Sequence, residues 1–183
     1  MTKIFFTSDT HFGHQNIIEY SKRPFTHVDQ MDEALINRWN EVVDDKSTVY
    51  HLGDFSFHKP SYTAGILGRL KGNIHLVKGN HDAAFYRRKE FAWRFSSIQD
   101  YLEITVEHQR IVMCHFPFES WNIMHYGSWH LHGHSHGSLK RWGRRVDVGV
   151  DCTNFTPLRF DHLKAEMEQY KIEVRDYHKI REK

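Results

Sequence analysis

The sequence predicts an α/β fold with a core of two β-sheets and helices packed outside them. Two patterns carry that expectation. First, short apolar runs of strand type recur, and four of them lead through a turn to a polar residue: Ile4-Phe5-Phe6 before Asp9, Val49-Tyr50 and Leu52 before Asp54, Ile74-His75-Leu76-Val77 before Asn80, and Ile111-Val112-Met113-Cys114 before His115. Second, stretches with helical spacing dominate the first half of the chain and strand-like runs the second, an order that layers helices over sheets.

The elements follow in order. A first strand starts at Lys3, and a short helix over Asn16–Tyr20 is ended by Arg23-Pro24. A stronger helix runs from about Val28 to Val43, because Met31, Leu35, Ile36 and Trp39 recur at helical spacing. Asp29 or Thr26 is placed to cap it. A third helix spans Ser61–Leu70 and stops at Gly72. The aromatic, basic segment Ala83–Phe95 reads as a short helix and loop. From Ile98 the pattern turns to strands: Leu102–Val106 and Arg110–Cys114 around the turn Glu107-His108-Gln109, then Trp129–His132 and Val146–Val150. Asn154–Pro157 opens a last helix, Leu158–Tyr170, and a polar tail begins at Lys171.

A chain of 183 residues suits one domain, 1–183, with a real core. Hydrophobic residues at 39% and charged residues at 26% exclude a disordered chain. A net charge of +2 does not demand a nucleic-acid partner, nor does it exclude one. Two cysteines make no disulfide framework, and Cys114, inside an apolar run, reads as a buried thiol. No apolar stretch reaches membrane length and no signal peptide precedes the first strand, so a cytoplasmic protein without membrane or obligate protein partner is expected.

Seven residues of metal-ligand type fall in five clusters: Asp9 and His11 in Ser8-Asp9-Thr10-His11, Asp54 after Gly53, Asn80 in Gly79-Asn80-His81-Asp82, His115, and His134 with His136 in Gly133-His134-Ser135-His136-Gly137. Ligands in layered α/β folds bind beyond the carboxyl ends of strands. In extended backbone, residues two apart point the same way, so each Asp-x-His or His-x-His pair can serve one site. Two carboxylates, four imidazoles and an amide, with no thiolate, suit Mn²⁺ first, with Fe²⁺, Zn²⁺ and Ni²⁺ as alternatives, and argue against structural zinc.

In their order and with their local glycines, these clusters resemble the block pattern of the calcineurin-like metallophosphoesterases over nearly the whole chain. The resemblance is to small single-domain bacterial and phage phosphoesterases, through Thr7-Ser8-Asp9-Thr10-His11-Phe12-Gly13-His14 and Leu52-Gly53-Asp54-Phe55. It implies a four-layer αββα sandwich of two mixed sheets flanked by helices. It also implies two divalent metal ions that activate a hydroxide and clamp the phosphoryl oxygens. On this resemblance Asp54 bridges both ions, Asp9, His11 and His136 complete one, and Asn80, His115 and His134 the other. His81 then protonates the leaving oxygen or steadies the phosphoryl group, a task suited to an imidazole pKa near working pH. Asp82 would orient His81 by a hydrogen bond, and His14 is a candidate for the phosphate pocket, with a packed or surface position as its rival.

Protein phosphatases of the superfamily carry an arginine soon after the Gly-Asp motif. Here Asp54 is followed by Phe55-Ser56-Phe57-His58, which argues against protein dephosphorylation. The expected activity is therefore phosphodiester hydrolysis on nucleotide or nucleic-acid-type substrates. A phosphomonoesterase or nucleotidase with the same site is the alternative, and a non-catalytic scaffold the reading from another class. His51, His75 and His132 read as packed or supporting residues, and Trp121, Tyr126 and Trp129 as core. The run Lys140–Arg145 reads as a solvated turn, with a nucleic-acid clamp stacking on Trp142 as its rival; Arg87 and Arg88 pose the same choice.

Overall fold

A computed structural model of the protein describes residues 2–84 and 94–174. Strands β1 (Ile4–Thr7), β2 (Thr48–His51), β3 (Asn73–Val77) and β4 (Phe95–Gln99) run parallel. With β9 (Leu158–Arg159) antiparallel on β1, they form a mixed sheet in the order β4-β3-β2-β1-β9. The second sheet has the order β5-β6-β7-β8, from β5 (Leu102–Val106), β6 (Gln109–Met113), β7 (Trp129–His132) and β8 (Arg145–Asp147). It is mixed too: β5 and β6 are antiparallel, β6 to β8 parallel. The helices are α1 (Gln15–Tyr20), α2 (Val28–Val42), α3 (Pro60–Arg69) and α4 (Phe160–Met167).

Alternation along the strands sorts the core into layers. On β1 and β2, Phe5 and Val49 face Met31, Leu35, Ile36 and Trp39 of α2 and Ile66 and Leu67 of α3. Phe6 of β1 and Val77 of β3 face the other way, onto Ile111, Met113, Trp129 and Leu131 of the second sheet. Burying each such side chain contributes about 1.5–3 kcal/mol. The far face of the second sheet is covered by the segment that follows β6, where Val112 packs with Trp121 and Met124, the latter in a 3₁₀ turn over Met124–Tyr126. Two mixed sheets with flanking helices thus match the expected architecture. Among the described residues no helix is long and apolar enough to cross a membrane.

Several local expectations change. His27, not Thr26 or Asp29, occupies the cap position of α2 and makes no side-chain cap bond; Thr26 instead donates its N–H (2.9 Å) and hydroxyl to Gln30 Oε1. The expected last helix begins two residues late, because Leu158 and Arg159 pair with Phe6 and Phe5 at the free edge of β1, and it ends at Met167. β4 starts at Phe95, inside the segment read as helix and loop; residues 85–93 of that segment, Arg87 and Arg88 among them, lie outside the described residues. The strand expected over Val146–Val150 stops at Asp147, whose carboxylate accepts the Gly149 N–H (2.8 Å) and turns the chain toward β1. There Ser8 and Gly149 form a parallel bridge that ties the two sheets together.

On β7, His130 is fully buried and stacks on Phe118 (4.8 Å, 8°). Its Nε2 accepts the Phe118 N–H (2.9 Å), which leaves Nδ1–H for the Val112 carbonyl (3.2 Å) and fixes a neutral ring. Burial pushes this imidazole down to about 3. The unfolded chain takes a proton there near pH 6.5 and the folded chain does not. His130's contribution to stability is therefore full above that range and is lost as pH falls toward 3. The destabilisation caused by His130→Asn is expected to shrink by about 2 kcal/mol between pH 7.5 and pH 5. Urea unfolding of both proteins at the two pH values checks this; a constant difference would show that the ring is not neutral in the fold.

Candidate metal centre

All seven ligand-type residues lie just past the carboxyl ends of parallel strands. Asp9 and His11 follow β1, Asp54 follows β2, Asn80 follows β3, His115 follows β6, and His134 and His136 follow β7. The Ser8–Gly149 bridge brings the ends of both sheets to one place. Two groups form there: Asp9, His11 and His136, and Asp54, His115 and His134, the candidate ligand atoms of each lying within 4.8 Å of one another. The Asp54 carboxylate lies between the groups, its Oδ2 3.7 Å from His11 Nε2 and 3.5 Å from His115 Nε2. Asn80 Oδ1 comes within 3.1 Å of His115 Nε2.

The backbone here departs from the extended geometry expected of the paired motifs. Asp9 (φ 57°), His11 (50°), Asp54 (55°), His134 (65°) and His136 (46°) all adopt left-handed conformations. The pairs converge because every second residue is turned, not because the chain is straight. Asp9 N–H donates to Gly53 O (2.9 Å) and His11 N–H to Asp54 O (3.0 Å), which joins the first two clusters. The His134 N–H points at both Asp9 oxygens (3.1 and 3.0 Å), which joins the first and last. Two glycines make this approach possible. A Cβ on Gly79 would sit 2.1 Å from Asp54 Oδ1, and one on Gly133 2.0 Å from Ser8 Oγ and 2.3 Å from Asp9 Oδ2.

The donor set fits a metal ion. His11 Nε2 is buried without a hydrogen-bond partner, 3.8 Å from Asp9 Oδ1 as well as 3.7 Å from Asp54 Oδ2. Such an orphaned nitrogen is costly unless a cation meets it. His115 gives its Nδ1–H to the Leu52 carbonyl (2.7 Å). That bond turns its Nε2 toward the oxygens of Asn80 (3.1 Å) and Asp54 (3.5 Å). His136 is held likewise, its Nδ1 2.7 Å from Asp151 Oδ2. Burial pushes the Asp9 carboxyl up to about 6 against the pull of His115 and His136, and drives His11 down to about 2. Burial also works against charge on His136 and Asp151, but other groups outweigh it: the bond to Asp151 and the Asp9 carboxylate hold His136 above its usual value, and the bonds to His136 and Arg23 hold Asp151 below.

His81 and Asp82 separate. The His81 N–H donates to Asp54 Oδ1 (2.9 Å) and its half-exposed ring sets Nε2 3.9 Å from Asp54 Oδ2. Asp82 is fully buried and accepts the N–H groups of Asp54 (2.8 Å), Gly79 (2.8 Å) and Phe55 (2.9 Å). The expected Asp82–His81 hydrogen bond is thus replaced by a clamp between two loops, because three peptide donors converge on the one carboxylate. Burial raises the Asp82 carboxyl to about 6, with those peptide bonds pulling the other way. His14 stacks on Phe57 (4.1 Å, 18°) with Nδ1 3.3 Å from His11 Nδ1.

Other side chains divide plainly. His51 accepts the Gly53 N–H at Nδ1 (3.2 Å) and meets Thr10 Oγ1 at Nε2 (3.0 Å), a supporting role. His75 reaches Ser97 (2.8 Å), and His132 the Gly133 carbonyl (2.8 Å). Trp121 and Trp129 are buried in the core, whereas Tyr126 is exposed. The basic run is tied to the protein: Arg141 to Glu166, Arg144 to the Gly127 carbonyl (3.2 Å), Arg145 to the Phe118 carbonyl (3.1 Å). A cleft of about 730 Å³ opens behind the His134–Gly137 loop; at its wall Lys3 pairs with Asp44 (2.9 Å), Arg141 with Glu166 and Arg159 with Asp161. The seven ligand-type residues lie at the strand ends, and none of them lines that cleft.

Sequence reading missed Arg23, Asp151, Phe57 and Phe116. Asp151 directly follows the run Val146–Val150, the same signal that marked the other clusters. Nothing in the sequence around Arg23 shows that its guanidinium binds both Asp151 oxygens (2.8 Å each) and the Asp9 and Thr10 carbonyls. Gly133→Ala is expected to leave the far-UV spectrum intact while weakening Mn²⁺ binding at least about tenfold by titration calorimetry, since the added methyl displaces Asp9. Unchanged affinity would mean that Asp9 holds no metal.

Comparison with known proteins places this geometry. Over residues 2–148 the chain matches the family model of the calcineurin-like phosphoesterase superfamily domain. It is 33% identical to the uncharacterized protein MJ1445 of Methanocaldococcus jannaschii, over 94% of this chain and 95% of that one. It is 29% identical to the Gene 66 protein of Mycobacterium phage D29, over 83% and 89%. Among solved structures, the protein AQ665 of Aquifex aeolicus, of unknown function, superposes with a TM-score of 0.71 at 25% identity, covering 92% of this chain and 99% of that one. With strand-end carboxylates and imidazoles converging as they do and the family model spanning most of its length, the chain belongs to the calcineurin-like phosphoesterase superfamily.

Proposed function

We propose that the protein is a cytoplasmic, single-domain, metal-dependent phosphodiesterase acting on nucleotide or nucleic-acid-type substrates through a two-metal centre. One observation carries the reading: the Asp54 carboxylate lies 3.7 Å from His11 and 3.5 Å from His115, between two groups that could each hold an ion. Asp9, His11 and His136 would hold one ion, Asn80, His115 and His134 the other, with Asp54 shared. Mn²⁺ suits this oxygen and nitrogen set, as do Fe²⁺, Zn²⁺ and Ni²⁺. When bound, the ions supply an activated water and positive charge for the phosphoryl oxygens.

The protein's own groups do the rest. Asp82, gripping the Asp54 and Gly79 peptides, fixes the loop that carries the Asp54 carboxylate before substrate arrives. Leu52, through Nδ1 of His115, and Asp151, through Nδ1 of His136, hold those rings so that Nε2 faces inward. His81 donates a proton to the departing oxygen: its backbone is anchored on Asp54 while its ring reaches solvent. His14 contacts the phosphoryl group or its ester arm from the His11 side. Asn80, His81 and His134 are exposed, so the centre opens on the surface, which suits an extended diester better than one enclosed metabolite.

Chelator-stripped protein resupplied with Mn²⁺ is expected to hydrolyse bis-p-nitrophenyl phosphate faster than p-nitrophenyl phosphate, and Asp54→Asn to abolish both rates. Preference for the monoester would reassign the protein as a phosphomonoesterase; normal turnover by Asp54→Asn would break the two-metal reading. His81→Ala is expected to retain its metal content by emission spectroscopy while kcat falls about 10²–10⁴-fold. Loss of metal with an unchanged rate per bound ion would remove His81 from the reaction.

A further inference from the structure

Two large apolar side chains stand exposed beside the candidate ligands, Phe57 at 39% and Phe116 at 44%. Scattered exposed apolar residues are ordinary on any protein. These two are set apart by their neighbours. Phe57 stacks on His11 of the first group (5.2 Å, 16°) and on His14 (4.1 Å, 18°), and its ring lies 4.8 Å from that of His81. Phe116 packs edge-on against two imidazoles of the second group, His115 (5.1 Å, 78°) and His134 (4.9 Å, 65°). Each group thus has an aromatic surface of its own. A phosphodiester has two organic arms, and a monoester has one.

We propose that Phe57 and Phe116 are two substrate platforms, one for each arm of a diester whose arms carry flat rings, as nucleobases do. The proposal rests on the phosphodiesterase reading above. The leaving arm lies on Phe57, because His81, the proton donor to the leaving oxygen, touches that ring and not Phe116 among the described contacts. The retained arm lies on Phe116. In the reaction the hydroxide oxygen forms a new bond to phosphorus and the bond from phosphorus to the leaving oxygen breaks. That oxygen takes a proton from His81, which is replaced from water. The retained arm leaves as the monoester. Stacking on a phenyl face tolerates any base, so the platforms select flat rings without selecting a sequence.

The test compares bis-p-nitrophenyl phosphate, with two aromatic arms, and ethyl p-nitrophenyl phosphate, in which only the leaving arm is aromatic. Metal content of every variant is measured alongside. Phe116→Ala is expected to lower the ratio of kcat/KM for the bis-aryl over the ethyl ester by about tenfold. Phe57→Ala and Phe57→Leu are expected to lower kcat/KM for both esters by about tenfold while leaving their ratio and the metal content unchanged. An unchanged ratio in Phe116→Ala, or a Phe57 variant that loses metal or keeps its rates, overturns the platforms while wild-type diester turnover keeps the broader reading alive. If the wild-type protein cleaves neither ester with any of the four metals, the broader reading fails and the platforms fall with it.

Discussion

Five side chains of the centre leave the backbone from left-handed conformations, and the rest of the molecule is arranged to hold them there. Such a conformation in a residue other than glycine costs roughly 1–3 kcal/mol and persists only where the surroundings over-determine it. The surroundings here are a continuous set of hydrogen bonds. Asp82 grips the Asp54 and Gly79 peptides, Gly53 and Asp54 carbonyls receive Asp9 and His11, and Asp9 in turn receives the His134 peptide. Two carboxylates act as fasteners between loops that share no strand. The same Asp9 then serves both as fastener and as candidate ligand, so the centre and its scaffold are one object.

Charge balance follows from that arrangement. Arg23, with a fully buried side chain, would be costly if it were alone. It is met by both Asp151 oxygens and two carbonyls, and Asp151 passes the pairing on to His136. Arg23 is thus bound to Asp151 and to the carbonyls of Asp9 and Thr10, which engages its charge in holding the first loop.

Much of this was legible in the sequence, for identifiable reasons. β1, β2, β3 and β6 announce themselves because each is an apolar run ending in a turn, and Asp9, Asp54, Asn80 and His115 because each follows one of them; His11, His134 and His136 show in the Asp-x-His and His-x-His spacing. α2 shows its inner face in Met31, Leu35, Ile36 and Trp39. Other features were hidden because distant partners decide them. β4 is mostly polar and becomes a strand by pairing with β3, with a register shift at Ile74/His75. Leu158 and Arg159 belong to β9 because β1 offers a free edge. Asp82 follows His81 in sequence, yet its carboxylate turns toward residues 28 and 27 positions earlier. Neither adjacency nor periodicity encodes a contact of that kind.

The pairing of β9 with β1 also has a history in time. Phe5 and Phe6 wait for Arg159 and Leu158, which are synthesised long after the neighbouring strand β2, so β1 receives this partner late. Until then one side of an Ile-Phe-Phe segment carries unpaired peptide groups, the template that other chains extend into aggregates. The two-residue strand β9 is thus the shutter on a hazard that exists during synthesis and vanishes once it docks on β1.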